Sequence, residues 1–218
     1  MVIQFSDEIL DKHIAPEVSS FNRADIPDMS SWEKEAPYWI ANFFLNSAFI
    51  TSFNPPMNAY AYNFLRRAHA AFIEHKLARD ATYSFLEAGG QSPTHYCLAL
   101  FHWETFLGQS WHAYAIFLKA FKGKDKVFDK GDGSLENRLN NLYNQMKHVE
   151  SKIATCEMLP GATVPVWLTN DGIHSINTSM TYNETADVLQ QIATWANVLL
   201  NTETVKGELD KVIGKVKD

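Results

Sequence analysis

From Arg138 to His148 the chain reads Arg-Leu-Asn-Asn-Leu-Tyr-Asn-Gln-Met-Lys-His. Arg138, Asn141, Gln145 and His148 recur at steps of three and four, so a helix places them on one face, with Asn144 beside them. His148 is the group on that face whose charge changes near neutral pH, and a guanidinium and several amides surround it. That set suits general acid or base work on a polar or anionic substrate. An ordinary solvated helix face rich in asparagine has the same pattern.

A second polar group falls on the preceding long helical pattern, with Arg66, Arg67, His69, Glu74, His75 and Arg79. Arg67 and Glu74 are placed to converge on the Arg138–His148 helix across a bundle. The alternative is surface ion pairing, worth only a few tenths of a kcal/mol per pair. His95, His102, Glu104 and His112 follow on the next pattern, but neither Glu-x-x-His nor His-x-x-x-His occurs. Residues adjacent in sequence therefore build no metal site. The only short glycine cluster of the polar loop, Gly131-Asp132-Gly133, is too short for a phosphate loop. Neither a metal nor a cofactor is expected.

The segment Tyr143-Asn144-Gln145-Met146-Lys147-His148 resembles the second signature helix of HEPN domains, compact helical bundles found in RNase toxins and in nucleotide- or RNA-binding defence proteins. The pattern of that family is an arginine, commonly followed by a polar residue, with a histidine after four to six intervening residues. Asn144 matches the polar residue and His148 the histidine, while Tyr143 stands where the arginine belongs. Arg138 shares the helix but lies outside the family spacing. The resemblance spans residues 32–200 in helix layout and rests in detail on this one segment. It implies His148 and Asn144 as catalytic candidates; Arg138 of the same helix face joins them, and Tyr143, Lys147 and Asn141, with Arg67 and Glu74 from the preceding helix, are the binding candidates. It further implies RNA or nucleotide as partner, a homodimer, and weakened or absent cleavage, because the missing arginine would neutralise the scissile phosphate.

The elements that must hold these residues are helices. Ser30 and Glu33 have capping-box spacing ahead of Trp39, Ile40, Phe43 and Phe44, and Asn54-Pro55-Pro56 stops that pattern. Tyr60 to Leu77 continues at three- and four-residue steps until Gly89-Gly90, and Ser92-Pro93 opens the next helix. Leu135, Leu139, Leu142, Met146, Val149 and Ile153 form a narrow stripe. Val164–Thr169, the turn Asn170-Asp171-Gly172 and Ile173–Tyr182 read as a β-hairpin, and Thr181 and Glu184 cap a last helix. The expectation is a single all-α domain over 1–218. It is an up-and-down bundle of about five main helices, near 31–53, 57–88, 93–122, 135–157 and 183–201. An N-terminal arm over 1–29, a hairpin insertion over 163–182 and an amphipathic tail helix over 203–218 complete it.

Composition narrows the function classes. The net charge is −6, so the chain as a whole attracts neither nucleic acid nor an anionic membrane, and RNA would need a local basic site. DNA is not expected as a partner. No segment is long and apolar enough to span a bilayer, and the N-terminus lacks the form of a secretory signal. Cys97 and Cys156 stand apart, which fits free, buried thiols in a reducing cytoplasm. The helix from Pro93 carries Phe101, Trp103, Phe106, Trp111, Tyr114 and Phe117 on more than one face. Such a helix is either central or shared with a second subunit. The same aromatic faces leave two alternatives to an RNA- or nucleotide-acting protein, a non-enzymatic helical interaction protein and a bundle that holds a small molecule between its helices.

Overall fold

Glycine and proline between residues 87 and 93 make the hairpin around which the rest assembles. In the computed structural model α3 spans Met57–Glu87 and α4 spans Pro93–Phe121. Gly89 and Gly90 take left-handed backbone angles, φ +83° and +71°, and the Gly90 amide closes on the Phe85 carbonyl at 3.1 Å. Ser92 Oγ then accepts from the His95 amide and Pro93 occupies the first turn of α4. The structure describes residues 3–49, 53–123, 126–158 and 162–201.

Ala61, Ala68, Ala71 and Ala78 on α3 and Ala99 and Ala113 on α4 are fully buried. Rings fill the remaining space. Trp103, Phe106, Tyr114 and Phe117 are buried, which makes α4 the central helix. Three of the buried rings fasten neighbouring elements through their polar atoms. Trp103 Nε1 donates to Thr82 Oγ1 at 3.0 Å, the Leu168 amide donates to Tyr96 Oη at 3.0 Å, and Tyr182 Oη donates to the Thr169 carbonyl at 3.0 Å. The helix α2, Ser30–Phe49, and the last helix α7, Tyr182–Leu200, pack on this pair, with Trp39 against Phe72 and Trp195 stacked on Phe117 at 4.3 Å. A short α1, Asp7–His13, and a 3-10 turn, Val18–Ser20, seat Leu10, Val18 and Phe21 on the body, where Phe21 stacks on Phe85.

The architecture is the all-α bundle read from the sequence, with a small β insertion before the last helix. Four details differ. Ser30 does not cap α2 with Glu33. It is the first helical residue, and its own amide and hydroxyl donate to Asp28. The fourth main helix is not continuous: α5, Leu135–Lys147, ends at His148 (φ −115°, ψ 27°) and a one-and-a-half-turn α6, Val149–Ala154, restarts after it. The apolar stripe fails there, since Leu139 and Leu142 are buried but Ile153 is 59% exposed and gives the helix nothing to pack against. The expected hairpin is a three-stranded antiparallel sheet, β1 Trp167–Leu168, β2 Gly172–His174 and β3 Ser179–Thr181. Its first turn falls at the predicted Asn170-Asp171-Gly172, and a second reversal at Ser175, whose amide donates to the Thr178 carbonyl, divides what reads as one strand. Both cysteines are free, as expected, but both are exposed rather than buried. The tail over 203–218 and the helix end beyond residue 49 lie outside the described residues.

Candidate functional site

Arg138 leaves the middle of α5 toward α7. Its guanidinium pairs with both Glu184 carboxylate oxygens, at 2.9 Å from Nη1 to Oε2, and Nη1 also donates to the Ser179 carbonyl at 3.2 Å. Glu184 is at the same time the third residue of the capping box of α7, accepting from the Thr181 amide while Thr181 Oγ1 accepts from the Glu184 amide. Arg138 thus ties α5 to β3 and to the start of α7. His148 lies elsewhere. It is exposed at the break between α5 and α6, and no hydrogen bond involves its ring among the described residues. Asn144 contributes its carbonyl to the His148 amide at 3.2 Å, and Asn141 Nδ2 donates to Asn137 Oδ1 at 3.0 Å. The face that the sequence groups together is therefore divided among three separate structural duties.

Tyr143 points the other way, onto α4. Its ring lies over Gly108, with Cε2 3.8 Å from where a Cβ would stand, stacks on Trp111 at 6.4 Å and meets His112 edge-on at 5.2 Å. Tyr143 Oη is 3.2 Å from His112 Nε2. Burial lowers the pKa of His112 first, and the positive charges of Arg67 and Lys147 lower it further. A neutral ring with its proton on Nδ1 accepts this hydrogen bond from the phenol, and one with its proton on Nε2 donates it. Arg67 comes from α3, where its Nη1 donates to Gln109 Oε1 at 2.8 Å, and Lys147 is exposed at the last turn of α5. Arg67 meets Gln109 and Tyr143 meets His112 on α4, and the charge of Lys147 also bears on that imidazole, in a chain whose net charge is −6.

Glu74 does not join this group. Its Oε2 is 2.8 Å from His102 Nδ1, inside the seam of α3 and α4. Of the residues singled out in the sequence, Arg67 and Tyr143 meet α4 at Gln109 and His112, and Lys147 acts on His112 through its charge, whereas His148, Asn144, Asn141, Arg138 and Glu74 do not join them. His112 and Gln109 complete the cluster and carry no motif of their own. The sequence signal for them is Gly108, since a glycine inside a long helix sacrifices about 1 kcal/mol and marks a place where another side chain lies close.

Glu104 stands one turn before Gly108 on the same face of α4, and desolvation pushes its carboxyl up to about 7. Among the described residues no group of three or more His, Cys, Asp or Glu side chains is arranged to hold a metal ion, and no helix is long and apolar enough to cross a membrane. No family model matches the chain, and neither a curated protein nor a solved structure matches it.

Proposed function

We propose that the protein is a HEPN-like module that binds RNA or a nucleotide without cleaving it, and that the ligand's phosphate is held between Arg67 and Lys147. The observation that carries this reading is the Tyr143–His112 contact, with those two cations as the charges bearing on the histidine. A phosphate placed there replaces mutual repulsion with charge-assisted hydrogen bonds. Trp111 and Tyr143 offer ring surface for a base. Cleavage is left out because a general acid or base must be oriented. His148 has no orienting partner among the described residues, and Arg138 is spent on Glu184.

The test is fluorescence anisotropy with a labelled single-stranded RNA at two salt concentrations. Arg67→Ala and Lys147→Ala should each weaken binding about tenfold and reduce the salt slope by about one. A wild-type protein that shows no binding at low salt rejects the reading.

We also infer that two copies pair. Ile73 and Leu77 on α3 and Leu98 and Phe101 on α4 are exposed, and Phe101 is 59% exposed. They flank the Glu74–His102 pair along one seam. An apolar strip of this kind is what a self-complementary interface buries. Light scattering should give twice the 24.7 kDa chain mass, and Phe101→Glu should return it to that mass. The free thiols of Cys97 and Cys156 support a place in the reducing cytoplasm.

A further inference from the structure

Two cross-helix hydrogen bonds set the register of the seam between α3 and α4. Arg67 Nη1 donates to Gln109 Oε1 at 2.8 Å, and Glu74 Oε2 is 2.8 Å from His102 Nδ1. Arg67 and Glu74 are seven residues apart on α3, and His102 and Gln109 are seven apart on α4. The helices are antiparallel, so each heptad adds one rung to the seam. One rung further from the Gly89-Gly90 turn, Tyr60 of α3 comes opposite Ile116 of α4. Asn63 lies between Tyr60 and Arg67 on the same helix face, and Lys119 follows His112 and Ile116 on theirs.

Charge divides this hairpin in two. Its carboxylates, Glu74, Asp80, Glu87 and Glu104, all fall in the half that holds the turn. The chain carries no Asp or Glu from Ala36 to Ile73, nor from Thr105 to Lys124. In the turn half, Lys76 and Arg79 are spent on Asp80 and Asp28. In the other half Arg66, Arg67 and Lys119 form no ion pair among the described residues. Asn63 Oδ1 accepts from Arg66 Nη2 at 3.1 Å and holds that side chain beside the seam. Arg66 and Lys119 are exposed, and Tyr60 is 36% exposed. Cations interleaved with exposed rings suit a single nucleic-acid strand, whose phosphates meet the charges and whose bases stack on the rings.

From Arg67 to Tyr60 the helix rises about 10 Å. That exceeds the step between neighbouring phosphates of one strand, so a nucleoside monophosphate does not reach both. We propose that the ligand of the Arg67 site is single-stranded RNA of several nucleotides, lying along the α3–α4 seam from the Arg67–Gln109 rung to Tyr60 and Lys119. Arg66 and Lys119 take phosphates beyond the one at Arg67, and Tyr60 stacks a base. The proposal rests on the RNA-binding reading and names its substrate. The track leads away from Ile73 and Phe101, so pairing of two copies through that strip does not compete with it.

The experiment is isothermal titration of the full chain with adenosine monophosphate and with an adenosine hexanucleotide. The hexanucleotide should bind about a hundredfold tighter, because a stacked base and a further phosphate contact are each worth about tenfold. Tyr60→Ala and Lys119→Ala should each weaken the hexanucleotide about tenfold and leave the monophosphate unchanged. Lys119→Ala should also reduce the salt slope by about one. Tyr60→Phe keeps the ring and should bind as the wild type does. A monophosphate that binds as tightly as the hexanucleotide overturns the extended track and leaves the Arg67–Lys147 site standing. A length dependence that both alanine variants retain also overturns it, by placing the strand elsewhere. A protein that binds neither probe overturns this proposal together with the RNA-binding reading.

Discussion

The Arg138 guanidinium grips the Glu184 carboxylate while that carboxylate closes the capping box of α7, so one ion pair links three elements. The side chains are 29% and 27% exposed, which protects the pair from full solvent screening. Glu184→Ala removes half the box, about 1 kcal/mol, and orphans a charged donor group, about 1 kcal/mol more. The melting temperature should fall by about 4–8 °C. The Arg138 hydrogen bond holds the Glu184 pKa below its ordinary 4.5. This share of stability is therefore complete above pH 4.5 and is lost as pH falls through the lower folded value. Glu184→Gln keeps an acceptor for the Thr181 amide and should lose about half as much. An Ala variant that melts with the wild type would show the pair to be ornamental.

Gly172 sits where β2 meets β3, and a Cβ there would stand 2.0 Å from the Met180 carbonyl oxygen and 2.7 Å from the Thr181 Cα. Both obstacles are backbone, so neither can swing aside. Gly172→Ala must push β3 away, and β3 carries both the Ser179 carbonyl that Arg138 binds and the Thr181 cap. A loss of about 3 kcal/mol is expected. Thermal melting and amide exchange at Met180 and Thr181 would record it, and unchanged protection of those amides would refute it.

The bundle was legible because Ser92-Pro93, Gly89-Gly90 and the Thr181/Glu184 spacing act through local backbone chemistry that one stretch of sequence contains. The site was not, because it depends on rotation between helices. Tyr143 and His148 lie five positions apart on one short pattern, yet Tyr143 turns onto Gly108 and His112 while His148 falls at a break in the helix. The break itself falls where Ile153, the next residue of the apolar stripe, stays exposed, a tertiary matter. His112 is 31 residues from Tyr143. Only the α4–α5 crossing brings them together.

His75 is wholly buried between Trp103 and Phe106, and neither ring nitrogen has a partner among the described residues. Burial pulls its pKa from 6.5 down to about 4, with Arg79 adding to the effect. The folded value is depressed, and the group is a base, so the folded state resists taking up a proton that the unfolded chain accepts. Stability is complete above pH 6.5 and falls as pH drops from 6.5 toward 4, by roughly 3 kcal/mol in all. His75→Phe keeps the ring and removes both orphaned nitrogens. It should flatten the melting temperature across that window and raise it at neutral pH by a few degrees. An acid limb as steep as the wild type's would place the effect on other groups.

Tyr143→Arg restores the arginine of the HEPN pattern and so separates the two histidines as candidates. The new side chain would enter the partly buried space over Gly108, beside a His112 that already feels Arg67 and Lys147. It forfeits the stacking on Trp111, about 1 kcal/mol, and the phenol hydrogen bond, about 1 kcal/mol. The third cation should drive the His112 pKa lower still. The expected variant melts about 4–8 °C below wild type, binds RNA with a steeper salt dependence, and cleaves none. His148→Ala should leave both binding and melting almost unchanged, since that ring is exposed and touches no partner among the described residues. The opposite result is equally readable. Cleavage that appears in Tyr143→Arg and vanishes in Tyr143→Arg with His148→Ala would show that the α5 break keeps the two side chains within reach of one phosphate. The reacting histidine would then be His148, and the His112 cluster would be packing.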